Sequence, residues 1–197
     1  RRAFNGGAFS RREARDQPSR RGTRHDEDVA AGKRICMKIG IVSDSHGNTS
    51  VFEDMLAMPG AAEAEMWLHA GDFAVDAKVL AERTGKKVPC VLGNCDSYVD
   101  GIYDETTVDV AGHRIFLTHG HLFHVRFGTE RLAMAAREAG ADIAVFGHTH
   151  IAYEEHGDVI ILNPGSIARP RDAQHGSFML IEVAEKEPPQ VNLIRLP

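Results

Sequence analysis

Seven side chains in this chain could hold a cation: Asp44, His46, Asp72, Asn94, His119, His148 and His150. Each follows a short apolar run. Ile41-Val42-Ser43 leads to Asp44-Ser45-His46, and Trp67-Leu68-His69-Ala70-Gly71 leads to Asp72. Val91-Leu92-Gly93 leads to Asn94-Cys95-Asp96, Ile115-Phe116-Leu117-Thr118 to His119-Gly120-His121, and Val145-Phe146-Gly147 to His148-Thr149-His150. Carboxylate, amide and imidazole groups form a hard-to-borderline O/N donor set suited to Mn, Fe or Zn. A tetrahedral catalytic zinc uses three protein ligands and keeps one position open. The surplus reads as two metals about 3.5–4 Å apart that share one carboxylate. Such a pair clamps a phosphoryl group and turns a bound water into a hydroxide nucleophile near neutral pH.

Five strand ends must then meet at one place. In α/β folds the carboxyl ends of neighbouring strands face one crevice, where ligands bind. Ile39–Ser43, Met66–His69, Val88–Leu92 and Ile143–Phe146 read as strands. Asn48–Met58 reads as a helix with Asn48 as its N-cap, and Val75–Thr84 and Thr129–Glu138 read as further helices. Thr106–Val110 and Arg114–Thr118 pair as a hairpin across Ala111-Gly112-His113, and Ile151–His156 pairs with Val159–Leu162. Ser177–Val183 and Gln190–Ile194 close a strand-rich second half. Alternation early and hairpins late predict a mixed sheet or two packed sheets, with helices on the outer faces.

The 197 residues suit one domain, and no apolar run approaches the ~20 residues of a membrane helix. Residues 1–36 hold ten Lys/Arg against five Asp/Glu, and residues 37–197 thirteen against twenty-three. An acidic body argues against a stable nucleic-acid partner, which would need a basic face. The first 36 residues carry few large apolar side chains and no sustained period, so they are expected to be a disordered basic extension. The domain is expected over residues 37–197, with Met37 directly before the first strand. Three cysteines without a CxxC pair predict neither a disulfide framework nor a structural zinc site, and point to the cytoplasm.

Taken in order, Ser43-Asp-Ser-His-Gly-Asn48, Gly71-Asp72, Gly93-Asn-Cys-Asp96, Leu117-Thr-His-Gly-His121, Gly147-His-Thr-His150 and Asn163-Pro-Gly-Ser166 resemble the signature of the calcineurin-like metallophosphoesterase superfamily. The sub-pattern resembles its small YfcE-type phosphodiesterases, which are related to the retromer subunit Vps29. The resemblance spans residues 37–183 and implies a four-layer α/β/β/α sandwich with mixed β-sheets. It also implies roles for particular residues. Asp44, His46 and His150 would hold the first metal, Asn94, His119 and His148 the second, and Asp72 would bridge them. Asp44 would also touch the nucleophilic water, which makes Asp44 and Asn94 catalytic as well as ligating. The larger phosphatases of the superfamily carry a His after the ligating Asn, where it helps protonate the leaving group. Here that position is Cys95, and His121 is the candidate substitute.

The expected activity is hydrolysis of small phosphodiesters with two divalent ions, Mn²⁺ first and Fe, Zn or Ni as substitutes. No membrane partner is expected, and a homo-oligomer is compatible with the sequence. The rival reading is a Vps29-like non-catalytic protein-interaction scaffold, which has no physical need for a complete ligand set. His69, His113, His156 and His175 are assigned no role, Asp76 is read as a helix-start residue, and Gly165-Ser166 as a turn or a support beneath the site.

Overall fold

The computed structural model describes residues 36–173 and 175–197. The expectation for the extension therefore falls outside the described residues, apart from Cys36, which opens the first strand.

Two mixed sheets form the centre. The first has four strands in the order β2-β1-β8-β9, made of β1 (Cys36–Val42), β2 (Met66–His69), β8 (Ser177–Ala184) and β9 (Glu187–Arg195). The second has five in the order β3-β4-β5-β7-β6: β3 (Glu105–Val110), β4 (His113–Thr118), β5 (Ile143–Val145), β6 (Ala152–Glu155) and β7 (Ile160–Pro164). Pairs β1/β2, β4/β5 and β5/β7 are parallel, and the other pairs are antiparallel. Helices α1 (Val51–Ala57) and α2 (Asp76–Thr84) belong to the first half, and α3 (Glu130–Glu138) to the second.

Period-two alternation sorts the strand residues into layers. Ile39 and Ile41 of β1, Ile115 and Leu117 of β4, Ile143 and Val145 of β5, and Met179 and Ile181 of β8 fill the core between the sheets. The residues between them point outward. Val42, Trp67, Phe178 and Leu180 pack with Phe52 and Met55 of α1 and Leu80 of α2. Phe116, Ala144 and Ile161 pack with Leu132 and Ala136 of α3. Three cores separate four layers, as the resemblance implied. Gly40 has a steric cause: a Cβ there would lie inside the Trp67 ring.

The structure departs from expectation at three places. Residues 88–92 form no named strand, although Trp67 N–H donates to the Lys87 carbonyl (3.1 Å) and His69 N–H to the Pro89 carbonyl (3.0 Å). Pro89 has no N–H to return, so the ladder is reduced to isolated bridges. Helix α1 starts at Val51 rather than Asn48, because residues 45–50 are bent into a turn in which Asn48 N–H donates to the Ser45 carbonyl (2.9 Å). The β3–β4 hairpin turns on Ala111 (φ 46°) and Gly112 (φ 85°), both left-handed as a two-residue primed turn requires, and His113 already belongs to β4.

Candidate metal centre

The carboxyl ends of β1, β2, β4 and β5 open toward one place between the sheets. Ser43-Asp44, Gly71-Asp72, His119 and Gly147-His148 follow them directly. The loops are sewn to one another: Asp44 N–H donates to the Gly71 carbonyl (3.1 Å), Gly147 N–H to the His119 carbonyl (3.2 Å), and His148 N–H to Asp44 Oδ2 (3.1 Å). Close approach explains the glycines. A Cβ on Gly93 would strike the backbone and carboxylate of Asp72, and one on Gly147 would strike Ser43 Oγ.

Asp44 and Asp72 are buried, with 0% and 2% exposure. Ser43 Oγ–H donates to Asp44 Oδ2 (2.7 Å), and Cys95 N–H donates to Asp72 Oδ1 (2.9 Å). Among the described residues Asp44 Oδ1 has no backbone or hydroxyl donor, and it faces His150 Nε2 at 3.1 Å and His46 Nε2 at 3.9 Å. Asp72 Oδ2 lies 3.7 Å from His46 Nε2, and Oδ1 lies 3.2 Å from His119 Nε2. Ligand atoms of Asp44, His46, Asp72 and His150 all fall within 4.8 Å of one another. On the other side of Asp72, His119 Nε2 lies 3.3 Å from Asn94 Oδ1. The His148 ring stands 5.2 Å from that of His119, but its Nε2 accepts a hydrogen bond from Arg126 Nε (3.0 Å). The structure thus joins six of the seven expected ligands directly and turns the nitrogen of His148 toward Arg126.

The imidazole orientations are set from outside. His119 Nδ1 lies 2.7 Å from the Ala70 carbonyl and His150 Nδ1 2.6 Å from the Arg169 carbonyl. A carbonyl only accepts, so both Nδ1 atoms carry protons and both Nε2 lone pairs face the carboxylates. Asp44, His46, Asp72, His148 and His150 all have left-handed backbones, with φ between 48° and 66°. Non-glycine residues held there mark strain retained at a site.

Matching of a sequence-family model then decides the affiliation: the calcineurin-like phosphoesterase superfamily domain matches residues 37–186. The chain belongs to this superfamily. This metallophosphoesterase is 31% identical over 169 residues to phosphodiesterase YfcE of Escherichia coli (strain K12), which covers 74% of this chain and 88% of that one. A solved predicted phosphoesterase from Streptococcus pneumoniae TIGR4 is 26% identical with a TM-score of 0.65, covering 82% of this chain and 98% of that one. Vacuolar protein sorting 29 from Cryptosporidium parvum shares the fold at 21% identity and a TM-score of 0.64, over 82% and 98% of the two chains.

The residues of this metallophosphoesterase fit a divalent cation. Two buried carboxylates face imidazole lone pairs, and among the described residues Asp44 Oδ1 has no donor besides a protonated imidazole. Only a cation or a proton relieves that arrangement. Burial disfavours charge on both Asp44 and His150. Their mutual contact outweighs it, holding Asp44 below the usual carboxylate range and His150 above the usual imidazole value. A metal ion competes for the same lone pair. Burial and His119 lower the pKa of His121, whose Nδ1 is buried without a partner, and its ring lies 5.4 Å from that of His119. Burial, then Asp72, pushes the Cys95 thiol up to about 11.

Sequence reasoning missed the support beneath the loops. His69, fully buried, accepts from Gly71 N–H at Nδ1 (3.3 Å) and meets Ser45 Oγ at Nε2 (3.0 Å). Ser45 Oγ–H donates in turn to Asp76 Oδ2 (2.7 Å), which also takes Gly47 N–H (2.9 Å). Asp76 therefore fixes the loop carrying His46 and makes no cap bond of its own. Asp96 clamps its loop by accepting Gly93 N–H and Ala74 N–H, both at 2.8 Å. Asn163 Nδ2 donates to the Gly147 carbonyl (2.8 Å), and Ser166 Oγ–H to the Asp44 carbonyl (2.8 Å). Asn163-Pro-Gly-Ser166 is both a turn and a support. The signal for His69 was its place at the strand end immediately before Gly71-Asp72.

Proposed function

We propose that this metallophosphoesterase hydrolyses small phosphodiesters with two divalent ions, Mn²⁺ serving best. The observation that carries the reading is the facing of two buried carboxylates by lone pairs of imidazoles whose other nitrogens are already committed. Asp44, His46 and His150 would hold one ion, Asn94, His119 and His148 the other, and Asp72 both. The ions would supply charge for the phosphoryl oxygens and an acidified water as nucleophile.

The chain's own groups do the rest. Asp44 Oδ1, which has no backbone or hydroxyl donor, would orient the attacking water once an ion occupies the His150 lone pair. His148 Nε2, which now accepts from Arg126 Nε, would be available to an ion if that guanidinium, suited to phosphoryl oxygens, bound the substrate instead. His121 is the proposed proton donor to the leaving oxygen, because its half-buried ring stands 5.4 Å from that of His119 at the mouth of the cluster. A thiol raised to about 11 holds its proton too tightly to serve well near neutral pH, which supports His121 over Cys95. A diester with a good leaving group depends least on such help. The phosphodiesterase name of the Escherichia coli relative supports the same choice.

The scaffold reading is supported by the Vps29 likeness alone, which extends to the fold. Three free cysteines support a reducing compartment such as the cytoplasm. Among the described residues no helix is long and apolar enough to cross a membrane. The test is a metal-by-substrate screen: chelated protein reloaded with Mn²⁺, Fe²⁺, Zn²⁺, Ni²⁺ or Mg²⁺ and assayed on matched aryl diesters and monoesters. Elemental analysis accompanies it. At most one ion per chain, or no diester turnover with any ion, refutes the proposal.

A further inference from the structure

A cavity of about 570 Å³ opens beside His148, a volume within the range of small-ligand pockets. Its floor is Phe146, and its walls include Thr149, Ile151, Tyr153, Arg126 and Arg171. Two features tie it to the metal centre. Thr149 stands between His148 and His150, and Arg126 Nε lies on His148 Nε2. Arg171 N–H donates to the His150 carbonyl (2.9 Å), so each arginine is held at the turn that carries His148 and His150.

The lining specifies an occupant. Ile151 and Tyr153 are 45% and 40% exposed on edge strand β6 and the turn before it, and the Tyr153 ring meets Phe146 at 6.3 Å. They present an apolar, partly aromatic wall. Among the described residues neither Arg126 nor Arg171 has a carboxylate partner, in a body where acidic residues outnumber basic ones. Two guanidiniums that no carboxylate contacts suit phosphoryl oxygens, although Glu130 and Glu155 line the same cavity. Glu155 accepts Tyr153 Oη–H and Thr129 Oγ1–H, both at 2.8 Å and both on Oε2. Its second oxygen is left to accept from a ligand, and it lines the same cavity.

We propose that this cavity is the subsite for one ester arm of the substrate and that the arm is a nucleoside. The base lies flat on Tyr153 and Ile151, Glu155 accepts from an amino or hydroxyl group, and Arg126 and Arg171 hold the phosphate. The inference rests on reading the neighbouring cluster as the reaction centre, so its test has two parts. In the first, chelator-treated full-length protein is titrated with thymidine 5′-monophosphate and with inorganic phosphate. The nucleotide binds at least about tenfold more tightly, the factor that stacking a base on an aromatic ring supplies. Tyr153→Ala and Arg171→Glu each remove most of that difference. Both positions are exposed, and circular dichroism checks that the variants fold.

In the second part, the Mn²⁺-loaded protein is assayed on the p-nitrophenyl diesters of thymidine 5′-phosphate and of methyl phosphate. The ratio of their kcat/KM values exceeds about ten in the wild type and falls toward one in Tyr153→Ala. A ratio read on one variant is insensitive to the fraction folded. Diester turnover with no nucleoside preference, or a preference untouched by both substitutions, overturns the subsite. Nucleotide binding that depends on Tyr153 without diester turnover under any metal supports the subsite and overturns the reaction-centre reading instead.

Discussion

Asp72→Asn separates the metal-binding argument from ordinary stability. Asp72 Oδ1 accepts the Cys95 amide, a bond the Asn carbonyl oxygen keeps, while Nδ2 replaces the oxygen 3.7 Å from His46 Nε2. The chelated fold therefore survives the change, and it loses the repulsion between two buried carboxylates. Loaded protein loses a full charge next to the cations. One unit charge ~4 Å from a divalent ion in an effective dielectric of ~20 amounts to about 8 kcal/mol, so a loss of at least about 10³ in affinity is expected. At metal concentrations 100 times the wild-type Kd, binding stabilises the wild type by about 2.7 kcal/mol, or about 5–11 °C in a chain of this size. The variant at the same concentration gains less than about 1 °C. Differential scanning fluorimetry with Mn²⁺ and with chelator reads both numbers, and diester turnover is expected to fall to background. A variant that gains as much from Mn²⁺ as the wild type refutes the role of Asp72.

Three further outcomes are expected. Cys95→Ser keeps both ions and its diester turnover, whereas Cys95→His raises alkyl relative to aryl ester turnover; loss of a metal in Cys95→Ser would make the thiol a ligand. Burial, partly opposed by Asp76 and Asp44, holds the His69 pKa down to about 4 against its ordinary 6.5. The stability that a neutral His69 carries is therefore present above pH ~6.5 and lost as pH falls toward ~4, at up to about 1.4 kcal/mol per unit. Urea unfolding in chelator at pH 7, 6 and 5 should show a shallower fall for His69→Gln, and parallel falls would remove that assignment. Starting the chain at Met37 should leave thermal stability and turnover essentially unchanged, and a drop of many degrees would make the preceding residues part of the domain.

The candidate ligands were legible because their types and their positions after apolar runs are both local facts. Asp44, Asp72, His119 and His148 each follow a strand within a few residues, so reading the strands located the candidate site. The supports were not legible in the same way. His69 touches Ser45, and Ser45 touches Asp76, across chain separations that no local period reports. Asp76 in particular reads as a helix-start residue, since an Asp there commonly caps the helix; only the packed loop reveals Gly47 as its partner. The segment around Pro89 failed as a strand for a reason written in one residue, the missing amide. Arg126 lies in a loop with no motif, and its position over His148 follows from tertiary packing alone.

The left-handed backbones at Asp44, His46, Asp72, His148 and His150 also bear on engineering. Each is a conformation that glycine occupies without a steric cost, and a side chain there forfeits on the order of 1 kcal/mol or more. A library of this protein sorted only by heat resistance, with chelator present, would reward glycine at 46 or 148 and discard two proposed ligands in the same step. If the proposed ligand set holds, sorting with the ion present reverses the incentive, because an imidazole that binds the ion returns more than its backbone gives up. Directed evolution of this scaffold toward robustness should be run on the metal-loaded form from the first round.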